Sequence, residues 1–380
     1  MEKELVNDIK EKMLNYESVL SENACKSCDA IREYPLKEDI RPAFARDTDR
    51  IIHTLAFTRY IDKTQVFSNE DNDNISKRMT HVQFVSRASR TIARALGLNE
   101  DLCEAIALGH DIGHTPLGHT GEHILDKISK KYLGYSFAHN LNSVRQLITI
   151  ENGGKGCNLS LQVLDGIMCH NGEMVKSKYT PMEKDLSVFK KEYNGCLYDD
   201  NLIKNIRPMT LEGCVVRISD IIGYIGKDIE DAVRLGKFDV KDIPEDIKEN
   251  LGVTNHDIMN NIILDIIEQS YNKPYIQMSD KMYELIVKLK KFNMENIYLK
   301  ANDENDLKEY EEILNRLFEV YLNALNNEDK TNDIYLVFLN NMNEKYMSEK
   351  KEQQVIDFMS GMTDNFMVRQ YNKYVRNIKE

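Results

Sequence analysis

Six of the nine histidines of this 380-residue chain fall between His81 and His139. Three of them share the run His110-Asp111-Ile-Gly-His114-Thr-Pro-Leu-Gly-His119-Thr-Gly-Glu122. Histidine is the commonest metal ligand and the side chain that titrates near neutral pH. That density beside Asp and Glu points to a metal-dependent hydrolytic site rather than to a core.

A hydrolytic metal takes three or four protein ligands and keeps a position open for water. Adjacent residues on a helix diverge by about 100°, so His110 and Asp111 converge on one ion only at a helix end facing a cleft. The Gly113 to Pro116 break supplies such an end. Two more ligands must come from other helices. His81, at a helix start in Arg78-Met-Thr-His81, is one candidate, and Asp220, in Val216-Arg-Ile-Ser-Asp220-Ile-Ile-Gly-Tyr224, is the other. An Asp on a helix patterned for burial needs a partner there.

Asp220, Tyr224 and Asp228 are spaced i, i+4, i+8 and form one helical stripe. With Asp220 facing the metal, Tyr224 and Asp228 face the adjoining pocket, where an aromatic face and a hydroxyl acceptor suit a sugar. His119, Glu122 and His123 lie at i, i+3, i+4, so Glu122 can accept from His119, the arrangement wanted of a general acid. His114, one turn from His110, lies near the metal without having to ligate it, and His139 is a further candidate. His53 and His170 are balanced between site and structure, and His256 reads as surface.

These residues need an almost wholly helical frame. Apolar periodicity predicts helices over 1–18, 47–60, 81–96 (ending at Gly97), 119–132, 140–151, 158–170 and 210–235. Another begins after Asn99 as N-cap and ends at Gly113. Further helices are expected over 254–270, 277–292, 304–327, 331–346 and 349–377. Ser68–Ser76 reads as loop or hairpin, and no alternating β pattern stands out. The expected fold is all-α. Residues 1–45 form an N-terminal helix and loop packed on the core, 46–235 carry the site, and 236–380 form a helical region serving as cap or assembly surface.

Composition sets limits. At 42% hydrophobic the chain can build a sizeable core. No apolar run reaches the ~20 residues of a membrane span, and the charged N-terminus lacks a signal-peptide pattern. The seven scattered cysteines read as reduced thiols in a cytoplasmic protein, with Cys25-Lys-Ser-Cys28 a lone CxxC. A net charge of −12 argues against stable nucleic-acid binding. Yet Arg41 to Arg94 holds ten basic and six acidic residues, a local excess suited to a small, highly anionic substrate.

The order His81, His110-Asp111, Asp220 resembles the HD superfamily of metal-dependent phosphohydrolases. Arg46-Asp-Thr-Asp-Arg50, Lys63-Thr-Gln65-Val-Phe67, Arg78-Met-Thr-His81, the run from Glu104 to Glu122, Phe137-Ala-His139-Asn140 and Asp220-Ile-Ile-Gly-Tyr224 … Asp228 look like the deoxyguanosine triphosphate triphosphohydrolase family. The resemblance covers roughly residues 20–235. It implies an HD helical bundle that cleaves a deoxynucleoside triphosphate between the 5′ oxygen and the α-phosphorus, giving deoxynucleoside and triphosphate. It implies that His81, His110, Asp111 and Asp220 ligate one divalent metal, whether Mn, Mg, Fe, Zn or Ni, with Mg accompanying the nucleotide. His119, supported by Glu122, would protonate the leaving oxygen and His139 would assist. Gln65, Arg78, His114, Tyr224 and Asp228 would hold sugar and phosphates. A homo-oligomer is expected.

Ile221 stands where many relatives carry a basic residue that meets phosphate, and Thr58 stands where many carry a second Arg. Two other readings stay open: an HD hydrolase of another nucleotide, and a non-catalytic deoxynucleotide sensor. Tetraphosphate hydrolases resemble one another in a Glu-Asp pair three residues past the His-Asp, where this chain has His114-Thr115. The Gly-Tyr-Pro signature of cyclic-dinucleotide hydrolases is missing.

Overall fold

The computed structural model describes residues 3–67, 72, 74–171 and 176–376. Most of the expected 68–76 loop lies outside them, as do the ends of the helices expected from residue 1 and up to residue 377.

The fold is all-α, as expected. The helices that matter are α1 (Lys3–Leu14), α2 (Ala43–Ile52), α3 (Arg78–Leu96), α4 (Glu100–Gly109), α5 (Gly118–Tyr132), α6 (His139–Arg145) and α7 (Leu161–Cys169). They continue with α8 (Leu211–Ile225), α9 (Lys227–Arg234), α10 (Asn255–Ser270), α11 (Asp280–Asn296), α12 (Glu304–Asn326), α13 (Lys351–Ser360) and α14 (Asp364–Tyr371). A two-residue antiparallel pair joins Lys178–Tyr179 to Ile276–Gln277. Among the described residues no helix is long and apolar enough to cross a membrane.

Local signals set the boundaries. Gly97 closes α3 in the left-handed conformation at φ 68°, a position that favours glycine. Asn99 caps α4 by accepting from the amides of Asp101 and Leu102. Helices α7 and α8 are apolar nearly all round and correspondingly buried. They pack with α3 and α4 as the centre of a first core that runs from Phe44 to Ile297. A second core joins α12, α13 and α14 to one face of α5 through Ile124, Leu125 and Ile128. Residues after 240 are thus divided: α10 and α11 enter the first core, and α12 to α14 build the second.

Five expected helices break: 331–346 is interrupted at 342–343 and 349–377 at 361–363, and three others break where the tertiary structure takes their backbone groups. Residues 47–60 do not form one helix. The Glu151 carboxylate accepts from the amides of Leu55 (3.2 Å) and Ala56 (2.9 Å), so α2 stops at Ile52 and Thr54 caps a separate turn. α4 stops at Gly109 rather than Gly113, whose amide donates instead to Ser143 Oγ at 2.9 Å. A Cβ on Gly113 would lie 2.1 Å from the Ser143 nitrogen, so only glycine permits this approach of loop to α6. The 210–235 stretch divides at Gly226, where the freed Ile225 carbonyl accepts from Asn293 Nδ2 at 2.8 Å. All seven cysteines are free thiols, and Cys25 and Cys28 join no metal-ligating cluster among the described residues.

Candidate active site

Five helix ends, those of α3, α4, α5, α6 and α7, and one face of α8 meet at an open cleft of about 950 Å³. His110 and His170 are each the first residue past an apolar helix, α4 and α7. Each ring bonds through Nδ1 to the carbonyl three residues back, Ala107 at 2.7 Å and Ile167 at 2.6 Å. A carbonyl only accepts, so in each ring Nδ1 carries a proton and Nε2 is the nitrogen turned toward the neighbouring groups.

His110 Nε2 is buried without a hydrogen-bond partner, 3.6 Å from both Asp111 Oδ1 and Asp220 Oδ1. His81, on the first turn of α3, places Nε2 3.0 Å from Asp220 Oδ1 and 3.7 Å from Asp111 Oδ2. The four sequence-predicted metal residues therefore converge. Burial opposes a charged His110, but the Asp111 and Asp220 carboxylates overcome it and push its pKa up to about 9. Burial likewise opposes ionised Asp111 and Asp220. Arg78, His114 and His110 nevertheless hold Asp111 well below the usual carboxylate range, and the neighbouring His110 and His81 rings do the same for Asp220. Two ionised carboxylates and two imidazoles this close, with an orphaned ring nitrogen among them, fit a divalent cation with N/O ligands.

A second cluster adjoins the first. Glu122, on α5, meets His119 Nδ1 at 2.9 Å with one oxygen and His139 Nδ1 at 2.8 Å with the other. The His139 amide also donates to Glu122, at 2.7 Å. His139 Nε2 lies 3.2 Å from His170 Nε2. Because His170 Nε2 is the accepting nitrogen, His139 donates from both ring nitrogens and is an imidazolium. Its pKa is raised accordingly: burial lowers it, and Glu122 more than offsets that. His170 is driven down to about 3 by burial and by the neighbouring His110 and His139. His114 stacks on His139 with ring centroids 4.0 Å apart and places Nε2 3.3 Å from Asp111 Oδ1.

Gln65, Arg78, His114, Tyr224 and Asp228 all line the same cleft. The helix break at Gly226 does not separate Asp228 from Asp220. Arg78 is buried in an ion pair with Asp111. Asp228 accepts from the Tyr298 hydroxyl at 2.7 Å, and its pKa is pushed up to about 7 by burial, against the Tyr298 bond.

The basic stretch Arg41–Arg94 corrects one expectation. Of its ten cations only Arg78 lines the cleft. Arg41 pairs with Asp39 and Asp49, Arg59 with Glu151, Arg90 with Glu100 and Glu104, and Arg94 with Glu100. These are local ties of the frame. The other cations of the cleft are Lys130, Lys204, Arg217 and Lys290, from later elements. Arg217 lies one turn before Ile221, which is a core residue.

His53 and His256 lie exposed, away from the cleft. His170 lies beside His110 and His139, and its signal is the one that marks His110: a histidine directly after a largely apolar, buried helix. Tyr298 also lines the cleft, from a short turn after α11 that carries no motif.

The HD domain family matches residues 78–224, and the phosphohydrolase-associated domain matches residues 276–373. A deoxyguanosinetriphosphate triphosphohydrolase-like protein of Caldanaerobacter subterraneus subsp. tengcongensis is 37% identical over 337 residues, covering 89% of this chain and 86% of its own. One from Clostridium perfringens is 34% identical over 373 residues, covering 96% and 97%. One from Rickettsia felis is 31% identical over 386 residues, covering 89% and 93%. With the His81, His110-Asp111 and Asp220 cluster at its centre, the chain belongs to the deoxyguanosinetriphosphate triphosphohydrolase-like family of HD-domain phosphohydrolases.

Proposed function

We propose that the protein is a metal-dependent deoxynucleoside triphosphate triphosphohydrolase, converting a deoxynucleoside triphosphate and water to deoxynucleoside and triphosphate. The observation that carries this reading is the adjacency of the His81, His110, Asp111 and Asp220 cluster to the His119–Glu122–His139 chain in one cleft. His81, His110, Asp111 and Asp220 would hold the ion, which when bound polarises a phosphoryl oxygen and lowers the pKa of water. His119 stands on the open side of Glu122 and hands a proton to the leaving 5′ oxygen. Glu122 keeps that ring oriented, and the His139 imidazolium adds positive charge where the phosphates gather.

Arg78 fixes the Asp111 carboxylate. His114, whose Nδ1 is buried without a partner, has a nitrogen left for phosphate. Lys130, Lys204, Arg217 and Lys290 offset the charge of the triphosphate, and Arg217 supplies the cation that Ile221 does not. Gln65, Tyr224 and Asp228 hold the sugar, with Tyr298 behind Asp228. We take residues 46–235 as the catalytic core, 236–380 as the region that covers and assembles it, and the enzyme as a cytoplasmic homo-oligomer.

The test is product analysis of the metal-loaded protein with each of the four deoxynucleoside triphosphates, singly and mixed. Deoxynucleoside with intact triphosphate supports the reading. Pyrophosphate, orthophosphate, or tight nucleotide binding without turnover contradicts it.

A further inference from the structure

Two loops border the cleft on the side of the second core. One, residues 62–67, carries Gln65, and the other, residues 114–118, runs from His114 into the start of α5 just before His119. Apart from the Thr64–Lys77 bridge, residues 63–67 and 114–117 lie outside helices and strands. The second passes through Leu117, a non-glycine residue in the left-handed region at φ 62°, a strained conformation that its surroundings must maintain.

Both loops are tied to one carboxylate from outside the catalytic core. Asp364, the first residue of α14, accepts through Oδ2 from the Thr64 amide at 2.8 Å and from the Thr64 hydroxyl. Through Oδ1 it accepts from the Leu117 amide at 2.9 Å. Thr363 caps α14, accepting from the Phe366 amide at 3.2 Å, so the backbone behind Asp364 is fixed. The buried Lys63 Nζ adds a second tie, donating to the His114 carbonyl and to the Ser360 carbonyl (3.0 Å) at the end of α13. The strap reaches further inward. Lys63 accepts from the Arg78 amide at 3.2 Å, and Thr64 pairs antiparallel with Lys77, so the first loop is laced to the helix that presents Arg78 and His81.

We infer that Asp364 is a positioning residue, by which the C-terminal helices hold the Gln65 loop and the Leu117 turn in the geometry that turnover requires. This rests on the hydrolytic reading of the cleft. The reason is one of reach: a carboxylate has two accepting oxygens, and each is spent on a different loop. A displacement of about 1 Å at either loop is enough to cost on the order of 100-fold in rate. Asp364 thereby acts on the cleft without lining it.

The test uses full-length, metal-loaded protein and the variant D364N. Asparagine keeps the size but replaces one acceptor with a donor, which faces the amide and hydroxyl of Thr64 or the amide of Leu117. The expected result is a kcat per metal-loaded site lower by about 10–100-fold, with KM changed far less. Amide hydrogen exchange would quicken in residues 62–67 and 114–118 while bound metal stays equimolar. T64V, which deletes only the hydroxyl bond, should fall in the same direction by a smaller factor, and T64S should match the wild type. These two variants decide the matter should D364N fail to fold. Unchanged kcat per loaded site in D364N or T64V, or unchanged exchange in both loops, would overturn the inference. A wild-type protein that hydrolyses no deoxynucleotide would instead overturn the functional reading, while the exchange data still report on the tie.

Discussion

His139 Nε2 lies 3.2 Å from His170 Nε2, and both rings are buried. With the Ile167 carbonyl holding the proton on His170 Nδ1, the contact makes His170 the acceptor and His139 the donor. A histidine outside every recognised motif thus sets the protonation of one inside the site. Replacing His170 by alanine should leave metal content intact and lower kcat by about 10–100-fold. Metal analysis beside steady-state kinetics checks this. Loss of metal in His170→Ala would instead make His170 a ligand, since its Nε2 also lies near His110 and Asp220.

His119→Ala should retain metal and nucleotide binding and lose about 100-fold or more in turnover. Glu122→Gln should lose at least as much, because it disturbs His119 and His139 together. Equilibrium nucleotide binding measured with single-turnover rates separates the effects. Full activity in His119→Ala would remove that residue from the mechanism.

Asp220→Ala and His110→Ala should each abolish stoichiometric metal binding, as should a chelator on the wild-type protein. Because a metal that binds only the folded state adds RT ln(1 + [L]/Kd), the melting temperature of the wild type should rise on metal addition. The two variants should not respond. Metal analysis and thermal melts under titrated metal read both effects, and a full metal complement in either variant would exclude it from the ligand set.

Asp228 gives a pH prediction. Its folded pKa of about 7 lies above the ordinary value of 3.8, chiefly through burial. The folded state therefore binds more protons than the unfolded state between those values, and stability falls as pH rises from about 4 to about 7. Asp228→Asn removes this contribution while leaving an oxygen for the Tyr298 hydroxyl. The variant should gain about 1 kcal/mol or more over the wild type at pH 8 and nothing at pH 4. Its KM should rise through the lost sugar contact. Denaturant melts at the two pH values check the sign, and equal differences at both would contradict it.

The convergence of His81, His110, Asp111 and Asp220 was legible because its signals are local in the chain: an adjacent His-Asp pair, and an Asp on an apolar helix, announce buried polar groups that need partners. The all-α frame was equally plain from periodicity, with Asn99 and Gly97 at its boundaries. What stayed hidden is decided between distant segments. Glu151 ends α2 by taking the Leu55 and Ala56 amides, and no pattern within 47–60 announces it. The basic stretch 41–94 gives a correct count and a wrong direction, since pairing with Asp39, Glu100 and Glu151 depends on packing. Asp364 is an ordinary first-turn acid by sequence, and only the fold brings it to Thr64 and Leu117.

The most direct test of the central claim is hydrolysis in ¹⁸O-labelled water, followed by ³¹P NMR and mass analysis of both products. Attack of water on the α-phosphorus, with proton delivery to the 5′ oxygen, predicts one ¹⁸O on a terminal phosphate of intact triphosphate and an unlabelled deoxynucleoside. Label in the deoxynucleoside, or in released pyrophosphate or orthophosphate, would contradict it.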